Sequence, residues 1–357
     1  MDRRDALVVG ATGIVGGNLS ERLLASGWMV HAMARNPSRA PKGTKPLAVD
    51  LNDREAVFDA IASVPISHIF QTTWTPADTE AEACEINARH LRNVLDAARA
   101  ARHPLRHVVL VTGVKHYLGP FKDFGRFLPD TPFLEETPRL PIENFYYPQE
   151  DVLFEAAARD GFTWSVHRPN TIVGYAVGAL MNAGVTLACY AVIAKETGRP
   201  FVFTGVPEQW NMLTEISDAR LIARQLEWAA TTPSAANTAF NTGNGDMFRW
   251  RKMWGRIADF FGLEAAPYEG KHVKLEEIMA DAGPIWREIA GRHDLVEPDL
   301  GRLATWWHTD ADLGRVVECI SDMTRSRKAG FLDYQSSVDT YLDLFRRLQD
   351  ERIIPRY

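Results

Sequence analysis

The sequence predicts an α/β protein, a doubly wound parallel sheet with a smaller, mainly helical C-terminal cap. Three observations carry that prediction. Short apolar runs alternate with amphipathic stretches of helical period through the first half of the chain, the rhythm of parallel strands joined by crossover helices and covered on both faces. A glycine-rich turn follows the first of these runs at once, in Gly10-Ala-Thr12-Gly13-Ile14-Val15-Gly16. Past about residue 250 the character changes: five of the ten tryptophans (Trp250, Trp254, Trp286, Trp306 and Trp307) lie there among helical-looking segments.

In chain order, Ala6–Val9 reads as the first strand and Leu19–Ala25 as the helix after the turn. Met29–Ala34 is the second strand, and Ala48-Val-Asp50-Leu51 closes a third. Glu55–Ala62 is helical, His68–Thr72 a strand, Glu85–Ala101 a long helix and His107–Thr112 the fifth strand. Asp151–Ala158 and Trp164–His167 continue the alternation. Phe201–Thr204 and Phe240–Thr242 read as late strands that return to the sheet, while Trp250–Phe261 and Val338–Arg347 read as cap helices. A chain of 357 residues suits about two domains. We place the dinucleotide-binding domain at 1–170, with returning strands near 200–245, and the cap at 171–199 and 246–357.

Composition narrows the function. With 46% hydrophobic residues the chain can bury a large core, and its net charge of −6, both signs interspersed, offers no basic face for nucleic acid or for a membrane surface. The start, Met1-Asp-Arg-Arg-Asp-Ala, runs directly into the first strand, and no stretch is long enough to cross a bilayer, so the expected location is cytoplasmic. Cys84, Cys189 and Cys319 are odd in number and far apart, which is neither a disulfide framework nor a metal cluster; they read as buried thiols. No His-Glu-x-x-His or Gly-x-Ser-x-Gly spacing occurs, which disfavours metal and serine-hydrolase chemistry.

The turn at Gly10, Gly13 and Gly16, set between a strand and a helix, is the context a pyrophosphate needs: a tight turn, close backbone approach and helix N-terminal amides facing an anion. The end of the second strand discriminates between the nicotinamide cofactors, since an acid there binds free ribose hydroxyls and an arginine accommodates a 2′-phosphate. Ala34-Arg35-Asn36-Pro37 has no acid and one arginine. Guanidinium matches phosphate in geometry as well as charge, so Arg35, with Arg39 able to assist, predicts NADPH. Asp50 is placed to accept from the adenine amino group.

Two further segments stand out, Val111-Thr-Gly-Val-Lys115-His-Tyr-Leu-Gly-Pro-Phe121 and Asn144-Phe-Tyr146-Tyr147-Pro-Gln-Glu-Asp151. Together with Thr73-Trp74, Trp164-Ser-Val-His-Arg168-Pro169 and Phe240-Asn-x-x-Asn244-Gly-Asp246, they resemble the progesterone 5β-reductase and iridoid synthase family of atypical extended short-chain dehydrogenases, over nearly the whole chain. The resemblance implies a Rossmann sheet and NADPH-dependent 1,4-reduction of an enone. It also implies Tyr146 and Lys115 as the catalytic pair. Its cofactor contacts fall on Thr12, Gly13, Ile14, Arg35, Asp50, Leu51, Thr73, Trp74, Val111, Tyr146, Ile172, Ala179, Leu180 and Met181. Phe121, Phe124 and Trp307 would flank a planar substrate. Val111 stands where relatives often have glutamine, and His308 where they often present phenylalanine, which makes the pocket more polar.

The chemistry suits these residue types. Hydride delivery to the β-carbon pushes charge onto the carbonyl oxygen, and a fixed phenol donor stabilises it, an interaction typically worth about 2.7–4 kcal/mol. The usual couple of this superfamily, a tyrosine followed four residues later by lysine, is absent from all nine tyrosines: Glu150 follows Tyr146 at that offset and Asp151 follows Tyr147. Three alternatives remain at this stage. They are an NAD-linked sugar-nucleotide epimerase or dehydratase, a redox sensor that holds NADP(H) without turnover, and a carbonyl (1,2-) reductase. A small-molecule substrate is expected, and a homodimer is the default association.

Overall fold

Seven short runs build the central sheet, buried and largely apolar at its middle in Asp5–Val9 and His107–Val111 and exposed at the edge in Lys45–Ala48. The computed structural model describes residues 4–179 and 181–357. Its strands are β1 (Asp5–Val9), β2 (Met29–Ala34), β3 (Lys45–Ala48), β4 (His68–Gln71), β5 (His107–Val111), β6 (Thr163–Pro169), β7 (Ile172–Val173), β8 (Ser217–Asp218) and β9 (Thr238–Thr242). The sheet order is β3-β2-β1-β4-β5-β6-β9 with every pair parallel, while β7 and β8 form a separate two-stranded parallel pair. The order reverses between β1 and β4, which in a doubly wound sheet opens a crevice at the carboxyl ends of the strands.

The helices, in chain order, are α1 (Ile14–Ala25), α2 (Arg54–Ala62), α3 (Glu80–Ala100), α4 (Lys115–Leu118), α5 (Tyr146–Asp160), α6 (Ala183–Thr197), α7 (Pro207–Asn211), α8 (Ala219–Thr231), α9 (Trp250–Phe261), α10 (Leu275–Ile278), α11 (Ala282–Arg292), α12 (Trp306–Leu313), α13 (Thr324–Lys328) and α14 (Ser337–Asp350). One face of the sheet is covered by α2, α3 and α5, whose Val57, Ile61, Leu91, Val94, Val152 and Leu153 meet Leu7, Val9, Ile69, Val108 and Leu110. The other is covered by α1 and α8 through Val15, Leu19, Leu23, Ile222 and Leu226, against Ala6, Val8, Val30 and Phe70.

A third core lies outside the sheet, built on α6, α9, α11, α12 and α14. Its centre is α6, buried from Ala183 to Ala194, as a helix apolar all round must be. Trp254, Trp286, Tyr341 and Phe345 pack around it. The tryptophan-rich C-terminal third is therefore helical, as the sequence predicts. The run Phe201–Thr204 does not return to the sheet: Phe201 makes one isolated bridge, to Ala265, and stacks on Trp254 at 4.3 Å. Its apolar side chains serve the cap core, a use that periodicity cannot distinguish from a buried strand. The third strand ends at Ala48, so Asp50 lies two residues beyond it. Cys189 and Cys319 are buried free thiols, whereas Cys84 is only half-buried. Among the described residues no helix is long and apolar enough to cross a membrane, and no group of three His, Cys, Asp or Glu side chains is arranged to hold a metal.

Candidate active site

The glycine turn folds as its spacing dictates. Gly10 has φ +88°, and a Cβ there would stand 2.7 Å from Thr73 Cγ2. Only glycine fits both demands. At Gly16 a Cβ would run into the Gly10 carbonyl, so the third glycine lets α1 start directly beneath the turn. Gly13 caps α1 without any side-chain acceptor, which leaves the first-turn amides of α1 free for an anion.

The turn forms one wall of a cleft of about 280 Å³ that gathers Gly10, Thr12, Gly13, Arg35, Asp50, Leu51, Thr73, Trp74 and Ala179 from five separate segments. Nine of the predicted cofactor residues thus meet in one place. Asp50 Oδ1 accepts from the Asn52 amide at 2.9 Å and from its side chain at 3.1 Å. That backbone hydrogen bond, with the Asn52 side chain and the nearby Arg35 charge, holds the carboxyl below its usual pKa. Gly16 lies under the turn rather than in the cleft, and Ile14 packs into the α1 face together with Val111 and Ile172. Met181 directly precedes Asn182, the N-cap of α6. Leu180 lies outside the described residues.

The strap that ends at Ala179 is tied from both sides. Gly178 N donates to the Arg302 carbonyl at 2.8 Å, and Arg39 Nη1 donates to the Val177 carbonyl at 3.4 Å. A larger hollow of about 1050 Å³ lies on the far side of the turn, sharing Thr12 and Gly13 with the cleft.

Lys115 opens α4, just beyond β5, and Tyr146 opens α5. Asn144 joins them: its Nδ2 donates to the Lys115 carbonyl at 2.8 Å and its Oδ1 accepts from the Tyr146 amide at 3.1 Å. It is buried, so both of its ends are committed. The Tyr146 ring is buried against Phe145, with centroids 4.4 Å apart, and shares a cluster with Trp74 of the cleft. Burial raises its phenol pKa, and the charge of Glu80 raises it further. Its hydroxyl lies over Gly113, where a Cβ would come within 2.8 Å of it.

The neighbouring tyrosine is occupied elsewhere. Tyr147 Oη donates to the His116 carbonyl at 3.0 Å and accepts from the Leu140 amide at 2.9 Å. Its hydroxyl is therefore a structural tie. Glu150, at the offset where a lysine would usually stand, turns to Arg168 at 3.3 Å and Arg139 at 3.0 Å.

The Lys115 ammonium sits in an aromatic box, 3.8 Å from the Phe121 ring centroid, 5.5 Å from Trp74 and 5.6 Å from Phe145. Burial lowers its pKa to about 8, opposed by the charges of Glu80 and Asp312. Cation–π contact keeps an ammonium charged without giving it a counter-ion. Phe121 in turn meets Phe124 at 5.2 Å, Trp307 at 5.7 Å and His308 at 5.6 Å. The four predicted substrate residues thus form one wall beside the lysine. Trp307 is 42% exposed and marks the outer rim, whereas His308 is buried.

Sequence reading missed three residues. Asn144 lay inside a highlighted motif without a role, Gly113 admits the tyrosine hydroxyl, and Glu80 sets the local charge while its Oε1 accepts from the Phe145 amide at 2.9 Å. Only Asn144 left a signal, its place two residues before the tyrosine.

A dinucleotide cleft at the switch point of a seven-stranded parallel sheet, with a helical cap beside it, defines an extended short-chain dehydrogenase/reductase. The fold is similar to UDP-glucose 4-epimerase of Thermotoga maritima (TM-score 0.68, 13% identity, 96% of this chain and 99% of that one). It is also similar to a short-chain dehydrogenase/reductase superfamily protein from Agrobacterium tumefaciens solved with bound NAD (TM-score 0.65, 16% identity, 98% and 100%). The family model of PRISE-like Rossmann-fold domains matches residues 41–302. The chain is 40% identical over 364 residues to an (S)-8-oxocitronellyl enol synthase of Nepeta cataria, covering 98% of this chain and 93% of the relative. It is 40% identical over 361 residues to a 3-oxo-Delta(4,5)-steroid 5-beta-reductase of Arabidopsis thaliana, with the same coverage. The chain belongs to this family of iridoid synthase-like and steroid 5β-reductase-like oxidoreductases.

Proposed function

We propose that the protein is an NADPH-dependent enone reductase that saturates a carbon–carbon double bond conjugated to a ketone or aldehyde. The observation that carries this reading is the bracing of Tyr146 to Lys115 through Asn144, inside an aromatic box that opens on the dinucleotide cleft. The names of the two relatives support the direction of attack. One reduces a Δ4,5 bond beside a 3-oxo group and the other makes an enol, and both outcomes follow when hydride reaches the β-carbon rather than the carbonyl carbon.

The residues present suit the cofactor. The uncapped first turn of α1 receives the pyrophosphate, Arg35 the 2′-phosphate, and Asp50 the adenine amino group. When bound, NADPH would supply the hydride, and water would supply the proton that completes saturation at the α-carbon. Tyr146 donates a hydrogen bond to the substrate oxygen as negative charge develops there, and its raised pKa keeps it protonated while it does so. Lys115 holds the tyrosine and the ribose in place and adds positive charge near the developing enolate. Phe121, Phe124 and Trp307 offer the planar enone one aromatic wall. We assign residues 1–170 to dinucleotide binding, and 171–199 with 246–357 to the cap that shapes the substrate pocket.

The test follows NADPH consumption with a panel running from 2-cyclohexen-1-one to an oxidised monoterpenal and progesterone, with products identified by mass. Turnover to the saturated carbonyl, reduced about 10²–10³-fold in Tyr146→Phe, is the expected result. Formation of an allylic alcohol would point to 1,2-reduction, and NADPH binding with no consumption of any enone would overturn the reading.

A further inference from the structure

The loop between β3 and α2 forms one side of the dinucleotide cleft, where Asp50 and Asn52 line the same cavity as His90 of α3. The loop is closed on itself and pinned from outside. Asp53 N donates to the Asp50 carbonyl at 3.0 Å, and Asn93 Nδ2 of α3 donates to the Leu51 carbonyl at 2.9 Å. Moving the turn away from α3 would break that buried hydrogen bond.

Within the turn the two carboxylate oxygens of Asp50 differ. Oδ1 accepts twice from Asn52, from its amide at 2.9 Å and from its Nδ2 at 3.1 Å, whereas Oδ2 takes no hydrogen bond among the described residues. An ionised carboxylate only accepts, so the open position calls for a donor. Asn52 is itself held in place. Its Oδ1 accepts from Arg89 Nη2 and from His90 Nε2, each at 3.0 Å. A guanidinium only donates, which fixes the amide oxygen toward α3 and the amide NH₂ toward Asp50. Turning the amide over would set donor against donor at Arg89 and lone pair against lone pair at Asp50.

We propose that Asn52, held by Arg89 and His90, is a positioning residue that aims Asp50 Oδ2 at the adenine amino group and makes the site selective for that base. This rests on the NADPH reading above and deepens it. A purine with a carbonyl oxygen in place of the amino group, as in hypoxanthine, brings a lone pair against Oδ2 and loses the bond. A hydrogen bond to a charged group is worth about 10–10²-fold in affinity. Without the Asn52 side chain the carboxylate keeps one bond instead of two and turns more freely about its Cβ–Cγ axis, so that part of this selectivity is lost.

The test titrates NADPH and reduced nicotinamide hypoxanthine dinucleotide phosphate by fluorescence. It compares the wild type with Asp50→Ala, Asn52→Ala, His90→Leu and His90→Gln, the last keeping a donor for Asn52. The wild type should bind NADPH about 10–10²-fold more tightly than the hypoxanthine analogue, and Asp50→Ala should bind the two alike. Asn52→Ala should lower the ratio about three- to tenfold, His90→Leu should lower it less, and His90→Gln should restore it. A change that merely loosens the fold weakens both ligands together and leaves the ratio where it was. An unchanged ratio in Asn52→Ala overturns the proposal, as does a wild type that binds both dinucleotides equally. None of these readings needs turnover. If NADPH binds but no enone is reduced, the enone reading fails and the ratios still decide the role of Asn52; if neither dinucleotide binds, the cofactor reading fails and the proposal with it.

Discussion

Tyr146 and Tyr147 are adjacent and chemically identical, yet their surroundings differ, and the proposed mechanism gives them different work. Tyr147 Oη is saturated by two backbone groups, so Tyr147→Phe should cost stability, about 1–3 kcal/mol for the orphaned backbone groups, and leave the chemical step largely intact. Tyr146→Phe should do the reverse, which urea titration beside steady-state kinetics would show. Lys115 gives a signed pH dependence. With its pKa at about 8, the ammonium that the proposed mechanism needs is lost as pH rises through that value, so kcat/KM should fall about tenfold per unit above pH 8. A flat profile to pH 10 would remove the lysine charge from the reaction. The same burial costs stability: between the ordinary lysine pKa of 10.5 and about 8 the unfolded chain binds a proton that the folded chain does not. Below pH 8 that penalty is complete. Lys115→Met, sitting among Phe121, Trp74 and Phe145, should therefore melt higher while losing activity, and a lower Tm would contradict the buried-charge argument.

At the level of elements, the two starting points of helices decide whether the site assembles. The N-terminus of α1 depends on Gly16, where a methyl group would collide with the Gly10 carbonyl. Gly16→Ala should weaken NADPH binding by at least tenfold, measured by fluorescence titration, because relieving the clash moves the amides that the proposal sets against the phosphate. Asn144 does the equivalent for α4 and α5, and Asn144→Ala should lower kcat about 10–10²-fold with NADPH affinity little altered; an unchanged kcat would make it a plain structural tie. Elements of this kind were legible to very different degrees. The glycine turn, Arg35 just past the end of β2, and the lysine and tyrosine segments could be singled out because each is a pattern of local spacing. The pair β7 and β8 could not, since two residues carry no period. Phe201–Thr204 was misread because a burial run looks alike whether it serves a sheet or a helical cap. Glu80 and Gly113 reach the site only through tertiary packing, which no window of sequence contains.

The molecule as a whole carries a chain of buried histidines that ties the far half of the sheet to α8. His167 Nδ1 meets Gln225 Oε1 at 3.0 Å, and Thr242 Oγ1 donates to that same oxygen. The amide oxygen only accepts, so His167 Nδ1 carries the proton and Nε2 is the acceptor. Ser165 Oγ, 3.0 Å from His167 Nε2, must then donate to it and accept from His107 Nε2 at 2.9 Å. Both rings are neutral with their tautomers determined, and a proton added to His167 leaves the Ser165 hydroxyl hydrogen without its acceptor. Burial holds His107 at about 3 and His167 at about 4, with His68 and His116 also near 4. The ordinary value is 6.5, so these depressed groups contribute stability that is fully present above pH 6.5 and is lost as pH falls toward 4. At about 1.4 kcal/mol per group and pH unit, four such groups remove several kcal/mol by pH 5, a large share of the roughly 5–15 kcal/mol that holds a typical domain. Urea midpoints should therefore drop steeply between pH 7 and pH 5. His107→Gln, which removes one titrating ring, should be less stable at pH 7 yet show a shallower slope, and equal slopes in the two proteins would mean that the sheet tolerates a charged histidine at its centre.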